Sequence, residues 1–461
     1  MKNLQATQIK LLAGGIQGTV ILPEDASYES ARQVWNAMID KHPAAIVRCV
    51  TTPDVVHAVN FAREYSLPLA VRGGGHNIAG SAVCDDGIVI DLSQMKAAHV
   101  DAVGCRASID GGATLADFDT ATQAQGLATP LGINSTTGVA GLTLGGGFGW
   151  LSRKYGMTID NLESAEVVTA AGEVMSASAT EHPDLFWALR GGSGNFGIVT
   201  RFDFRVHPVG PNLLSGLIVY PFSEAKSVLQ QYREFMANAP DEISVWVVTR
   251  QAPPLPFLPE NVHGQKVIVL ALLYAGDPEQ GRQLIKPLFT FGTPAGTHVD
   301  VMPYVAWQKA FDPLLAPGAR NYWKSHNFVE LKDGLFDTVI EHIGTLPSPQ
   351  CEIFFGAIGG ATTRPAPDSA AYAHRDARFV MNVHGRWDDP ADDERCIRWA
   401  RHFFKASAPF ASGGVYVNFL TADEGDRVKA AYGLNYERLA LVKRKYDPAN
   451  LFSANQNIQP A

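Results

Sequence analysis

Cysteine is scarce in this chain. Cys49, Cys84, Cys105, Cys351 and Cys396 are scattered over 461 residues without a C-x-x-C pair, and an odd count of that kind fits reduced thiols better than a disulfide framework. Basic charge is also in deficit, with 38 Lys plus Arg against 46 Asp plus Glu and a net charge of −8. No basic block interrupts that balance, so no nucleic-acid partner is expected. No uncharged apolar run reaches about 18 residues, and the first residues lack a basic region followed by an apolar core. The expectation is a cytoplasmic protein without a membrane span or signal peptide. There is no H-E-x-x-H, and Ser193 lacks the second flanking glycine of G-x-S-x-G, so a metal or serine hydrolase is poorly supported and no metal is expected.

What is present is ordinary globular composition, 46% hydrophobic and 10% aromatic, enough for large cores in about two domains. Ile46–Val50 reads as a strand, and Thr52-Pro53-Asp54 opens a helix with Val55, Val56, Val59 and Ala62 on one face. Leu69–Val71 reads as the next strand and runs into Arg72-Gly73-Gly74-Gly75-His76-Asn77, a loop too rich in glycine for helix or sheet. Thr114-x-x-Asp117 resembles a capping box whose helix ends near Gly126. A second glycine-dense segment runs from Gly132 to Gly149. Proline and glycine near residue 210 suggest a domain boundary. Tyr436, Leu439, Val442 and Tyr446 share a helical face that Asp447-Pro448 closes.

Gly192-Ser193-Gly194-Asn195-Phe196-Gly197 fits G-x-G-x-x-G, but its context is inverted. A dinucleotide fingerprint needs a strand before the glycines and a helix after them. Here Pro183–Leu189 reads as helix and Ile198–Val206 as strand, which makes the segment a helix-to-strand turn. The loop from Arg72 to Asn77 is better placed to hold an anion, because consecutive backbone N–H groups can converge on one phosphate and Arg72 adds a cation. A plain turn is its bland alternative.

Together the motifs resemble the vanillyl-alcohol oxidase superfamily with its PCMH-type FAD-binding fold, and within it the berberine bridge enzyme-like flavoproteins. The carrying residues are the Arg72–Asn77 loop, Gly145-Gly-Gly-Phe-Gly149, Arg153-Lys154-Tyr155-Gly156, Asp160-Asn161 and Arg190–Thr200. Tyr416-Val-Asn418-Phe419, Asn435–Leu439 and Asp447–Phe452 continue the match. The resemblance implies an α+β fold: an FAD-binding domain over residues 1–210 with its core at about 40–208, a substrate domain over 211–420 whose antiparallel sheet covers the flavin, and a segment 421–461 returning to the FAD domain. It implies FAD contacts from Arg72, Gly73, Gly74, Gly75, His76, Asn77 and Ser81. Further contacts would come from Gly138, Gly141, Gly145, Gly146, Gly149 and Tyr155, and from Gly197, Ile198, Val199, Asn455 and Asn457.

The same resemblance makes His76 the covalent attachment point of the flavin. Many relatives add a second link through a cysteine before Gly138 and Gly141, where Asn134 stands here, so one covalent bond is expected. Thr137 falls at the position that gates dioxygen, and its modest volume favours an oxidase that gives hydrogen peroxide over a dehydrogenase. A flavin-binding protein without turnover is the competing class. The phenol or carboxylate that alcohol-oxidising relatives use as base is missing at several positions, with Phe148, Ile78 and Asn382 in their places. Phe379–Trp387 reads as a strand with Asn382, His384 and Arg386 on one face. That face is either solvated or a substrate wall in which His384 can take a proton. Tyr416 is the stronger catalytic candidate. A small amine, heterocyclic or alcohol substrate is expected, with a slight lean to amine or heterocycle oxidation, and a monomer or homodimer.

Overall fold

Residues 4–461 are described in a computed structural model. The expected strand–helix–strand opening is present as Ala45–Arg48, the helix Thr52–Glu64 and Leu69–Arg72. The helix starts where it does because the Thr51 hydroxyl accepts from the Asp54 amide while the Asp54 carboxylate takes the Thr51 amide. Those donors have no partner within the helix. Val55, Val59 and Ala62 are buried. Ile88–Asp91 lies between the two strands and parallel to both, and Thr19–Ile21 adds an antiparallel edge.

A second, antiparallel sheet is ordered Ala98–Asp101, Arg106–Asp110, Ile198–Arg205, Leu162–Val168, Val174–Ser178. The helix Leu115–Gln123 starts at the capping box of Thr114 and Asp117. Pro183–Leu189 is a helix and Ile198–Arg205 a strand, so the glycines between them turn helix into strand and hold no dinucleotide fingerprint. A short strand, His207–Pro208, pairs with Leu127–Ala128.

The third sheet has seven antiparallel strands in the order Gly296–Pro303, Asn212–Pro221, Lys266–Tyr274, Ile243–Gln251, Glu352–Ala357, Phe379–Trp387, Arg320–Phe328. The helices Ala225–Asn238, Asp333–Ile343 and Asp393–Ser407 form a layer against it. Every residue of Phe379–Trp387 is buried. Its polar face is therefore not the solvated surface of a half-exposed strand, because the loops of the two smaller sheets cover the side away from the helices.

The C-terminal helix Tyr436–Tyr446 packs on Pro183–Leu189. Lys443, fully buried, donates to the Asp447 carboxylate at 2.7 Å, the Asn195 carbonyl at 2.8 Å and the Phe452 carbonyl at 3.0 Å. A buried ammonium is tolerated only with such a complete partner set, and here the set ties the tail to the Gly192–Gly197 turn. Among the described residues no helix is long and apolar enough to cross a membrane.

Candidate active site

One large cavity runs between the glycine loops and the face of the seven-stranded sheet that points away from its helices. Its floor is the Gly73–Asn77 loop. The five amide N–H groups from Gly73 to Asn77 meet no acceptor among the described residues, so they form a nest of the kind that binds an anion. The Gly138 backbone abuts that of Gly74, where a side chain on either residue would collide. That close approach places the second glycine segment, with Thr137 and Gly141, on the same cavity. Ser81, Gly197, Ile198, Val199 and Asn455 also line it.

Six of the expected cofactor residues lie off the cavity wall. Arg72 departs most from the expected placement. Its guanidinium turns to the fully buried Asp91 carboxylate at 2.7 Å and to the Ala31 carbonyl, where it shares the buried charge of Asp91 with Arg48 at 3.2 Å. The loop therefore presents N–H groups alone. Gly145, Gly146 and Gly149 are closely packed: a side chain there would meet Asn418, the Met157–Tyr372–Tyr416 cluster and the Leu131 carbonyl respectively. Tyr155 stacks on His207 with ring centres 4.0 Å apart. Asn457 keeps a buried Oδ1 without a partner.

His76 lines the cavity, and burial pushes its pKa down to about 4, so the ring is neutral. Its Nε2 lies 2.9 Å from the Thr136 hydroxyl. The Trp35 indole stacks on it at 5.1 Å and is itself held by a 2.8 Å bond from Nε1 to the Leu315 carbonyl. Trp35 precedes every motif read from the sequence and carries no local signal of this role.

The opposite wall is built by register. In antiparallel strands, directly opposed residues share a face, and Arg250, Glu352, His384 and Trp323 are opposed in one row across four strands. All four line the cavity. Arg250 and Glu352 form a 2.6 Å ion pair. Burial raises the Glu352 pKa, but Arg250, His384 and Arg386 outweigh it and hold the carboxyl below its usual range. This carboxylate is what the sequence reading missed. His384 is held from both sides by acceptors: Nδ1 faces Glu352 Oε1 at 3.2 Å and Nε2 faces Asn321 Oδ1 at 3.1 Å. Burial lowers its pKa while Glu352 pulls it back. Arg386 lies over the Trp35 ring and bonds Gln350 Oε1. The next row contains Asn382, buried, lining the cavity, with both amide atoms unpartnered.

Tyr416 joins the wall from the segment beyond the sheet. Its oxygen accepts from the Gly147 amide and from Asn418 Nδ2, each at 3.0 Å. Burial pushes its pKa up to about 12 while those two donors pull down. With its oxygen receiving both, the hydroxyl hydrogen remains to be donated. Phe148 packs edge-on against the ring at 4.9 Å.

The donor set fits FAD. The N–H nest suits a pyrophosphate. Gly141 and Gly194 open onto free space where a side chain would stand, and Ser193 Oγ, Asn455 Oδ1 and the Asn382 amide line the cavity as buried polar atoms awaiting partners. The family model described as FAD binding domain matches residues 43–178, and that described as berberine and berberine like matches 415–459. An FAD-linked oxidoreductase of Dictyostelium discoideum is 31% identical over 99% of this chain and 98% of its own. (R)-6-hydroxynicotine oxidase of Paenarthrobacter nicotinovorans is 31% identical over 96% and 97%. The crystal structure of 6-hydroxy-D-nicotine oxidase from Arthrobacter nicotinovorans superposes with a TM-score of 0.86 at 29% identity, covering 97% of this chain and 98% of that one.

Proposed function

The chain belongs to the berberine bridge enzyme-like, PCMH-type FAD-linked oxidoreductases, and we propose that it is an oxidase of a small organic substrate carrying its FAD on His76 alone. Residues 1–210 with 421–461 form the cofactor part in this reading, and 211–420 the substrate part. When bound, FAD accepts a hydride from the substrate and passes the electrons to dioxygen, giving hydrogen peroxide. The single observation that carries the reading is that a neutral His76 beside a nest of free N–H groups faces the same cavity as Tyr416 and Glu352.

The protein's own part is binding, orientation and proton handling. Gly73–Asn77 would hold the phosphates. Trp35 and Thr136 orient the imidazole. Tyr416, whose oxygen already accepts two hydrogen bonds, has its proton to give or share with a substrate heteroatom, and the two donors stabilise the oxygen when negative charge develops. Asn382 offers both a donor and an acceptor. Glu352, the carboxylate on this wall, is neutralised by Arg250, so no spare negative charge is available for an ammonium. The wall therefore favours a neutral substrate, an alcohol or a heterocycle or amine in its uncharged form, between Trp246, Trp323 and Phe354.

The test is spectroscopic. Acid-precipitated protein should stay yellow, His76→Ala should release its flavin on denaturation, and a neutral substrate should bleach the flavin without air and yield peroxide with air. A colourless wild-type precipitate defeats the covalent assignment. Reoxidation that is slow in air and fast with an artificial acceptor defeats the oxidase assignment.

A further inference from the structure

Asn134 and Thr136 form a relay behind His76. The Thr136 backbone N–H donates to Asn134 Oδ1 at 3.1 Å, and Asn134 Nδ2 faces the Leu315 carbonyl at 3.5 Å. A backbone N–H can only donate and a carbonyl only accept, so these neighbours fix which end of the amide is oxygen. The Thr136 hydroxyl lies 2.8 Å from that oxygen, so its one hydrogen is committed there. Its lone pair is left for His76 Nε2 at 2.9 Å, and Nε2 must supply a hydrogen. A neutral imidazole carries one hydrogen. With that hydrogen on Nε2, the lone pair is on Nδ1, whose neighbour, the Thr137 hydroxyl, is 3.5 Å away at the outer limit of a hydrogen bond and holds it more weakly than Thr136 holds Nε2 at 2.9 Å.

We propose that Asn134 and Thr136 are positioning residues for flavin attachment: they lock His76 in the Nε2–H tautomer, so that Nδ1 is the atom that bonds the flavin. The inference rests on the covalent reading above. The Nδ1 lone pair forms a bond to the 8α carbon of the isoalloxazine. One C–H bond of that methyl group breaks, its proton going to solvent and its electron pair to the ring. A second proton leaves Nε2 by way of Thr136, which is exposed, and the Thr136 hydroxyl then turns to donate to Nε2. Dioxygen takes the two electrons and two protons as hydrogen peroxide. The sum is imidazole plus FAD plus dioxygen giving histidyl-FAD plus hydrogen peroxide.

The test measures attachment and leaves turnover aside. Apoprotein made under flavin starvation is reconstituted with FAD in air, and the covalent fraction is followed by intact mass and by flavin retained after acid precipitation. The linkage isomer is then read from the digested flavin peptide. Wild type should link through Nδ1. Thr136→Val, which keeps the shape, and Asn134→Ala should bind FAD yet attach it roughly tenfold more slowly or with Nε2 product mixed in, the size of effect that losing an orienting partner behind a histidine has at metal sites. Thr136→Ser keeps the hydroxyl and should show the wild-type rate and isomer. Attachment of wild type through Nε2, or Thr136→Val attaching at the wild-type rate through Nδ1, overturns the relay. No covalent product in wild type overturns the covalent reading itself, and the relay with it.

Discussion

Glu352 and His384 stand directly opposite each other on neighbouring strands, with the carboxylate 3.2 Å from the imidazole Nδ1. The pair joins Arg250 on one side to Asn321 on the other, which makes the substrate wall one connected polar row. Glu352→Gln keeps the volume and removes the charge that Arg250 and His384 share. Because it takes the carboxylate from a mostly covered Arg250, which keeps only the Gln251 carbonyl among the described residues, it should cost up to about 3 kcal/mol of stability, read by urea titration of the holoenzyme. Anaerobic flavin reduction should fall by roughly tenfold or more. Unchanged stability would show that the row does not act as a unit.

Tyr416→Phe removes a hydroxyl that receives two donors and has a proton to give. Stopped-flow reduction without air should slow by roughly 10²-fold if the phenol is the acid–base group. A loss of only a few-fold would limit it to orienting the substrate. Asn418→Ala removes one of the two donors to the phenol oxygen and should raise the alkaline limb of the pH–rate profile, because the anion loses a stabilising partner.

Thr137 lines the cavity one residue before Gly138. Thr137→Leu should slow reoxidation of reduced flavin by dioxygen by roughly tenfold or more while leaving anaerobic reduction by substrate nearly unchanged, since only the second half-reaction needs that space. Equal slowing of both halves would point to a displaced flavin.

Arg72→Met separates a structural role of Arg72 from a phosphate contact. The fully buried Asp91 would lose its closest cation, so the thermal midpoint should drop sharply, in line with about 3–5 kcal/mol for a broken buried pair. FAD affinity of the folded fraction should change little, because Arg72 does not face the N–H nest. A large loss of affinity with stability intact would restore Arg72 as a phosphate contact.

Acid sensitivity follows from histidines that burial keeps neutral, His207 and His326 each pushed down to about 4. In the unfolded chain they take protons from about pH 6.5 downward. Stability should therefore decline as the pH falls from about 6.5 to about 4, with each such proton adding up to about 1.4 kcal/mol per pH unit to the slope. His326→Gln, which can still donate to the Phe404 carbonyl that His326 contacts at 3.0 Å, should flatten the fall of the thermal midpoint between pH 6.5 and 4.5. An equally steep fall would assign the acid response to other groups.

What could be read from the order of residues was local. The capping boxes at Thr51 and Thr114, the stop at Asp447-Pro448, the helix-to-strand inversion around Gly192–Gly197 and the strand Phe379–Trp387 all depend on neighbours within a few positions. Backbone hydrogen bonding and side-chain alternation are set at that range. The glycine loop and the tail motifs carried the family resemblance in the same way. Where a side chain points and what it meets across the fold was decided only by packing. Arg72 beside 73–75 looks like a phosphate cation until Asp91, 19 residues on and one strand over, claims it. Glu352 meets His384 across 32 residues because of strand register, which no motif on either strand encodes. Trp35 reaches His76, and Asn134 reaches it through Thr136, because two loops close on one another where Gly74 and Gly138 lack side chains. The glycines were visible in the sequence, but which backbone they admitted was a property of the folded chain.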